Sequence, residues 1–232
     1  MSDEITAFAE LLRAAGPILR EMRDADILRP PTFNIFRVLG REYREVGTHS
    51  ALLAYLLDPQ GGHRQGDLFL RLFLDALRTH ETMRGRKFPL LAEVGSGWSC
   101  RPEVRLPNGY GQVDILVRAA GFSILIENKI YAGDQPNQLY RYWEYARQLG
   151  GYHLLVYLTP YGVSPSPPSL LAPQRSESLS RPDRVDDCPQ NHLALLSYRE
   201  DIRGMMLRAA KDTEAVSIAE ILRQYADLAG SL

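Results

Sequence analysis

The chain has 232 residues, 45% hydrophobic and 24% charged, ordinary globular proportions that exclude a disordered polymer, a collagen-like repeat and a small disulfide scaffold. A chain of this length buries well over half of the surface its unfolded form exposes, so no metal or disulfide is needed merely to hold a fold. Lys plus Arg at 27 against Asp plus Glu at 28 leaves a formal charge of −1, which removes the bulk basicity of many nucleic-acid binders while leaving local patches open.

From Glu4 to Arg23 the apolar residues Ile5, Phe8, Leu11, Leu12, Ile18, Leu19 and Met22 recur at helical spacing, broken by Gly16-Pro17 and closed by Pro30-Pro31. Residues 1–33 therefore read as a helical extension. Thr48 is the expected N-cap of an apolar helix through Leu52, Leu53, Leu56 and Leu57 that ends at Asp58-Pro59. A second helix spans Asp67 to Leu77, so the first third is helical. The period then changes. Arg101 to Leu106, Gln112 to Val117 and Ser123 to Ile130 read as a β-meander, with turns at Pro107-Asn108-Gly109 and Ala119-Ala120-Gly121. Asp134 and Pro136 supply start signals for a helix that runs to Gln148, before Gly150-Gly151. Tyr152 to Leu158 and Ala194 to Ser197 are further strands, and helices over about 199–211 and 214–229 complete the chain. Between them, 163–190 holds six prolines and six serines and is expected to be a long loop. One domain over 1–232 is expected.

Cys100 and Cys188 have no further thiol in the chain, which excludes a four-cysteine zinc site and favours a reducing compartment. No apolar run reaches the roughly 18 residues of a membrane span. The acidic start, Asp3 and Glu4, does not resemble a signal peptide. The expectation is a cytoplasmic protein without a membrane partner.

The informative stretch is Gly111-Gln112-Val113-Asp114-Ile115-Leu116-Val117, followed by Ile124-Leu125-Ile126-Glu127-Asn128-Lys129-Ile130. On a strand Glu127 and Lys129 project to one face and Ile124 and Ile126 to the other, with Asp114 on the neighbouring strand. Two carboxylates beside a hydrophobic sheet repel each other and lose hydration unless a cation compensates. Lys129 supplies one positive charge. Two hard oxygen ligands also suit Mg²⁺, which keeps several waters and needs only one or two carboxylates. Such an ion lowers the pKa of a bound water and stabilises charge on a phosphoryl oxygen, the chemistry of phosphodiester hydrolysis. The same spacing equally describes a surface hairpin with an ordinary Glu-Lys pair.

Asp114, Glu127 and Lys129, with Gly111 ahead of them, resemble the PD-(D/E)XK nuclease superfamily. The likeness continues in order. Glu45-Val46-Gly47-Thr48-His49-Ser50, Leu56-Leu57-Asp58-Pro59, His63 and Gly66-Asp67-Leu68-Phe69 resemble the leading helical motif of a bacterial, RecB-like branch. Asp134-Gln135, Gln138, Tyr142, Tyr157-Leu158-Thr159-Pro160 and Ser197-Tyr198 extend it, so the resemblance covers roughly Asn34 to the C-terminus. It implies an α/β, restriction-endonuclease-like core, a mixed sheet of four to five strands flanked by helices. It implies Mg²⁺, with Mn²⁺ as a substitute, and a nucleic acid substrate, DNA by default. Defence, repair or a mobile element would be the setting by analogy.

Residue by residue, the resemblance makes Asp114 and Glu127 metal ligands, Asn128 a backbone-carbonyl ligand and Lys129 the catalytic lysine. Glu45 becomes a further acid that binds metal directly or through water; its other reading is a solvated helix-end carboxylate. Gln138 and Tyr142, four apart on one helical face, match a Q-x3-Y feature and would orient substrate or the lysine. Glu103, between Arg101 and Arg105 on one strand face, is either an ion-paired surface acid or a secondary metal candidate. His49 and His63 read as capping or packing residues before they read as general bases. A glycine commonly follows the latter in the family pattern, and Arg64 stands there. Arg141 and Arg147 are among the candidate phosphate contacts, and Tyr131, Tyr140 and Trp143 either stack on unpaired bases or belong to the core. A catalytically silent module of the same fold, a homodimer, or a subunit completed by a protein partner are the competing expectations.

Overall fold

In a computed structural model of the chain, residues 33–88, 97–173 and 188–232 are described, together with Ala15, Pro17 and Glu21. Those three are helical; the rest of the helix expected over Glu4 to Arg23, and residues 174–187 of the Pro/Ser-rich loop, lie outside the described residues. The chain divides into two units, Met1–Leu39 and Gly40–Leu232. In the first, Ile35–Val38 forms a single helical turn capped by Asn34, whose Oδ1 accepts from the Phe36 N–H at 3.1 Å.

The second unit is built on a five-stranded sheet in the order β1-β2-β3-β4-β5: Ser99–Leu106, Gly111–Ala119, Phe122–Asn128, Tyr152–Thr159 and Leu193–Ser197. The first three strands form the expected antiparallel meander. Strands β4 and β5 then add in parallel, which requires a crossover, and the helix α3 (Gln138–Leu149) supplies it between β3 and β4. The turn into β3 uses Gly121 at φ 70°. Its carbonyl accepts from the Tyr152 N–H at 2.9 Å. A Cβ on Gly151 would sit 2.2 Å from that same oxygen, so the start of β4 closes on the hairpin only with glycine there.

Every residue of β3 is buried, as expected of a central strand covered on both faces. On one face Leu139, Tyr142, Trp143 and Ala146 of α3 pack with Leu116, Leu125 and Leu155. The alternate residues Ile115, Val117, Ile124, Ile126 and Val156 are fully buried on the opposite face. Helices α1 (Ala51–Leu57), α2 (Leu68–Thr79), α4 (Arg203–Asp212) and α5 (Val216–Ser231) provide the remaining apolar layer through Leu53, Leu57, Phe69, Phe73, Met206 and Leu222. This is the α/β architecture expected, a mixed sheet flanked by helices. Among the described residues no helix is long and apolar enough to cross a membrane.

The boundaries expected at Thr48, Ile130 and Asp134 differ from those observed. Winding begins at Glu45, in a π-wound turn Glu45–Ser50 that runs into α1, so Thr48 is buried within the turn and caps nothing. Strand β3 ends at Asn128 instead of Ile130, although the Lys129 N–H still donates to the Leu158 carbonyl at 2.8 Å. Helix α3 starts at Gln138, because the Asp134 carboxylate accepts from the Tyr157 hydroxyl at 2.7 Å and from the Ser166 N–H at 2.6 Å.

Candidate active site

The sheet register brings the predicted acids into one row. Ile115 faces Ile126, so the next step sets Asp114 opposite Glu127; Pro102 faces Ile115 and Val104 faces Val113, which brackets Glu103 against Asp114. Directly opposed residues of antiparallel strands share a face. Glu103 has φ 53°, a left-handed backbone that removes its own pair from the ladder. One of its oxygens accepts from Gln112 Nε2 at 2.5 Å and the other is buried without a hydrogen-bond partner.

Glu127 is 2% exposed. Its Oε1 takes the Lys129 ammonium at 2.7 Å and the Gln138 amide N–H at 2.7 Å, while Oε2 is buried and has no hydrogen-bond partner. Gln138 also donates to the Tyr142 hydroxyl at 3.1 Å, and that hydroxyl donates in turn to the Gln112 carbonyl. The two residues of the Q-x3-Y feature thus meet the acid itself, from the first turns of α3.

Asn128 works on both faces of the sheet. Its backbone N–H donates to Asp114 Oδ2 at 2.7 Å. Its side chain, turned the other way, donates to Ser50 Oγ at 3.1 Å and accepts from the Tyr198 hydroxyl at 3.0 Å. Beside it His49, fully buried, contacts the Glu42 carbonyl through Nε2 at 3.0 Å and the Tyr225 hydroxyl through Nδ1 at 2.9 Å. A carbonyl only accepts, so Nε2 carries the proton. Burial lowers the His49 pKa, against the opposing pull of the Glu42 carbonyl, so the ring is neutral and Nδ1 accepts from Tyr225. His49 is a packing and hydrogen-bonding residue, as its position suggested. Tyr225 carries no sequence signal for this contact; 176 positions separate it from His49.

Glu45 lies beyond the end of β3. Its Oε1 accepts from three consecutive backbone N–H groups, Ile130 at 2.7 Å, Tyr131 at 2.5 Å and Ala132 at 3.1 Å. That oxygen therefore holds the turn that follows Lys129, an arrangement sequence spacing does not reveal. His63 closes a separate turn: Nε2 donates to the Asp58 carbonyl at 2.9 Å and Nδ1 accepts from the Gln65 N–H at 3.0 Å. Arg64 adopts φ 55° there, the left-handed conformation that glycine adopts most readily.

Other candidates are drawn away from the site. Arg141 donates to the Pro136 carbonyl at 2.9 Å and to the Tyr110 carbonyl at 3.3 Å. Arg147 lies over the Trp143 ring at 4.6 Å, and Trp143 is buried, so its indole belongs to the core.

The electrostatics follow from burial. Asp114 is raised to about 6, first by desolvation, with the Asn128 N–H pulling down and the Glu103 charge pushing further up. Glu127 is raised to about 7 by desolvation and then by the Asp114 charge, with Lys129 opposing. Burial works against the Lys129 ammonium, but Glu127 outweighs it and its pKa is raised. One ammonium therefore does not neutralise this row of acids. Among the described residues no three His, Cys, Asp or Glu side chains converge as a metal cluster. A hard divalent ion that retains waters needs fewer: the Asp114 carboxylate, the unsatisfied Oε2 of Glu127 and the Asn128 carbonyl are the donors that suit it.

No curated protein and no solved structure matches the chain. The family model of the PD-(D/E)XK nuclease superfamily matches residues 33–227, a span that contains the whole sheet, the acid row, Lys129 and the Gln138–Tyr142 pair. The chain belongs to the PD-(D/E)XK nuclease superfamily.

Proposed function

We propose that the chain hydrolyses phosphodiester bonds of nucleic acid, DNA in the first instance, using Mg²⁺ or Mn²⁺ held by Asp114, Glu127 and the Asn128 carbonyl. The observation that carries this reading is Glu127: a buried carboxylate with one oxygen gripped by Lys129 and Gln138 and the other unsatisfied. A purely structural Glu-Lys pair would not leave a buried oxygen desolvated and unpaired beside a second acid.

The bound ion would supply a more acidic water and a counter-charge for the phosphoryl oxygens. The chain supplies the rest. Lys129, held by Glu127, presents an ammonium to the attacking water or to a non-bridging oxygen. Gln138 and Tyr142 fix the rotamer of Glu127, and the Asn128 N–H fixes that of Asp114. Glu45 immobilises the turn from Ile130 to Ala132 and so the chain just beyond the lysine. The Gln138–Tyr142 spacing supports the RecB-like branch. Incubation of the purified protein with linear, circular and single-stranded DNA, and with RNA, in Mg²⁺, Mn²⁺ or EDTA tests the reading. Cleavage with either ion and none in EDTA is expected. Binding without cleavage of any substrate in either ion would replace it with a silent binding module or a subunit that needs a partner.

A further inference from the structure

Two exposed aromatic rings pair beside the turn that follows Lys129. Tyr43 is 65% and Tyr131 59% exposed, and the rings meet edge to face with centroids 5.5 Å apart. Neither is a chance surface residue. Tyr131 follows Lys129 by two positions, and its N–H is one of the three that Glu45 Oε1 accepts; Tyr43 precedes Glu45 by two positions. The pair therefore flanks the carboxylate that fixes the chain beyond the lysine. Of the other exposed tyrosines, Tyr161 is covered by the Arg199 guanidinium at 4.3 Å and Tyr55 pairs with His63, and neither lies near Lys129 in the chain.

We propose that Tyr43 and Tyr131 form a stacking platform for unpaired bases, so that the substrate reaching Asp114, Glu127 and Lys129 is single-stranded or frayed nucleic acid. The inference rests on the nuclease reading of that site. Stacking needs a free base face, which a duplex withholds, and every base has one, so the platform selects strandedness and not sequence. The same loop carries Arg41 and Arg44, both exposed, beside Tyr43, which supplies positive charge for the backbone phosphates. Two residues of extended chain reach no more than about 7 Å, so a strand with a phosphate at Lys129 has the neighbouring base within range of Tyr131.

Fluorescence anisotropy with a labelled single strand and a blunt duplex of equal length, in EDTA, tests this without relying on cleavage. The single strand is expected to bind more tightly. Tyr43→Ala and Tyr131→Ala should each weaken single-strand binding by about tenfold or more, the loss typical of one stacked base, with duplex binding changed by less than about twofold. Tyr43→Phe and Tyr131→Trp should restore it, and because both rings are exposed the variants keep the wild-type circular dichroism spectrum. Equal losses on both substrates, no loss on either, or a wild type without single-strand preference would each overturn the platform. If the binding pattern holds and no substrate is cut in Mg²⁺, only the nuclease reading fails; if DNA is cut and the pattern is absent, only the platform fails.

Discussion

The backbone N–H of Asn128 donates to Oδ2 of Asp114 at 2.7 Å, so the segment that carries Glu127 and, just beyond β3, Lys129 also aims the acid on the neighbouring strand. Three groups held as one unit lose function together when any one is removed. Asp114→Ala, Glu127→Ala and Lys129→Ala are each expected to lower cleavage by at least about a hundredfold, the usual loss of one transition-state stabiliser. Their circular dichroism spectra should match the wild type. Full activity in all three would remove these residues from the reaction.

The two raised carboxyl pKa values make an unusual stability profile. For Asp114, about 6 in the fold, and Glu127, about 7, the folded value lies above the unfolded one, so the fold binds the proton more tightly than the unfolded chain does. Their contribution is fully present below the unfolded values near pH 4 and is lost as pH rises through about 6 to 7. In EDTA the melting temperature should therefore fall from about pH 5 to about pH 8, and saturating Mn²⁺ should flatten the slope by taking the protons' place. Asp114→Asn removes a charge that costs on the order of 2 to 3 kcal/mol above its titration, so it should raise the metal-free melting temperature at high pH while abolishing cleavage. A metal-free melting temperature that climbs across that range would contradict the arrangement.

How much of this is legible in the sequence follows from the range of the interactions. The change from helical to strand period, the meander and the face shared by Glu127 and Lys129 are local patterns, and they appear where periodicity places them. Asp114 is legible as a neighbour because hairpin register is set by the short turn at Gly121. Glu45 is legible as an acid of the motif but its structural role is not, because the three backbone N–H groups it binds lie 85 to 87 positions away and carry no side-chain signature. Asp134 and Thr48 fail as caps for a related reason, since cap chemistry is overruled where a side chain has a tertiary partner or a helix continues upstream. Glu103 reads along its own strand as a partner of Arg101 and Arg105, yet cross-strand register puts it beside Asp114.

Gln138 tests positioning separately from chemistry. Its amide shares Glu127 Oε1 with Lys129 and reaches Tyr142, so its removal loosens the acid without deleting a charge. Gln138→Ala should lower kcat by about tenfold with little change in KM, as expected when a group that orders the transition state is lost and substrate contacts remain. Tyr142→Phe, which keeps the ring in the core but gives up the contact to the Gln112 carbonyl, should have a smaller effect in the same direction. A change confined to KM for Gln138→Ala would assign the amide to substrate binding.

Tyr198 separates the fold's demand on Asn128 from the site's. Its hydroxyl donates to Asn128 Oδ1 at 3.0 Å within a fully buried cluster that includes Ser50, on the face of β3 away from the acids. Tyr198→Phe keeps the ring and strands a buried acceptor, a loss of about 1 to 3 kcal/mol, visible as a lower urea midpoint with an unchanged slope. Cleavage under conditions where the variant is folded should fall by less than about tenfold, because the Asn128 N–H is main-chain and still meets Asp114. The Asn128→Ala variant loses the Ser50 contact as well and should be less stable than Tyr198→Phe, again with most of its folded-state activity intact. A loss of cleavage in Asn128→Ala as deep as in Asp114→Ala, with the fold preserved, would mean that the asparagine side chain itself enters the reaction.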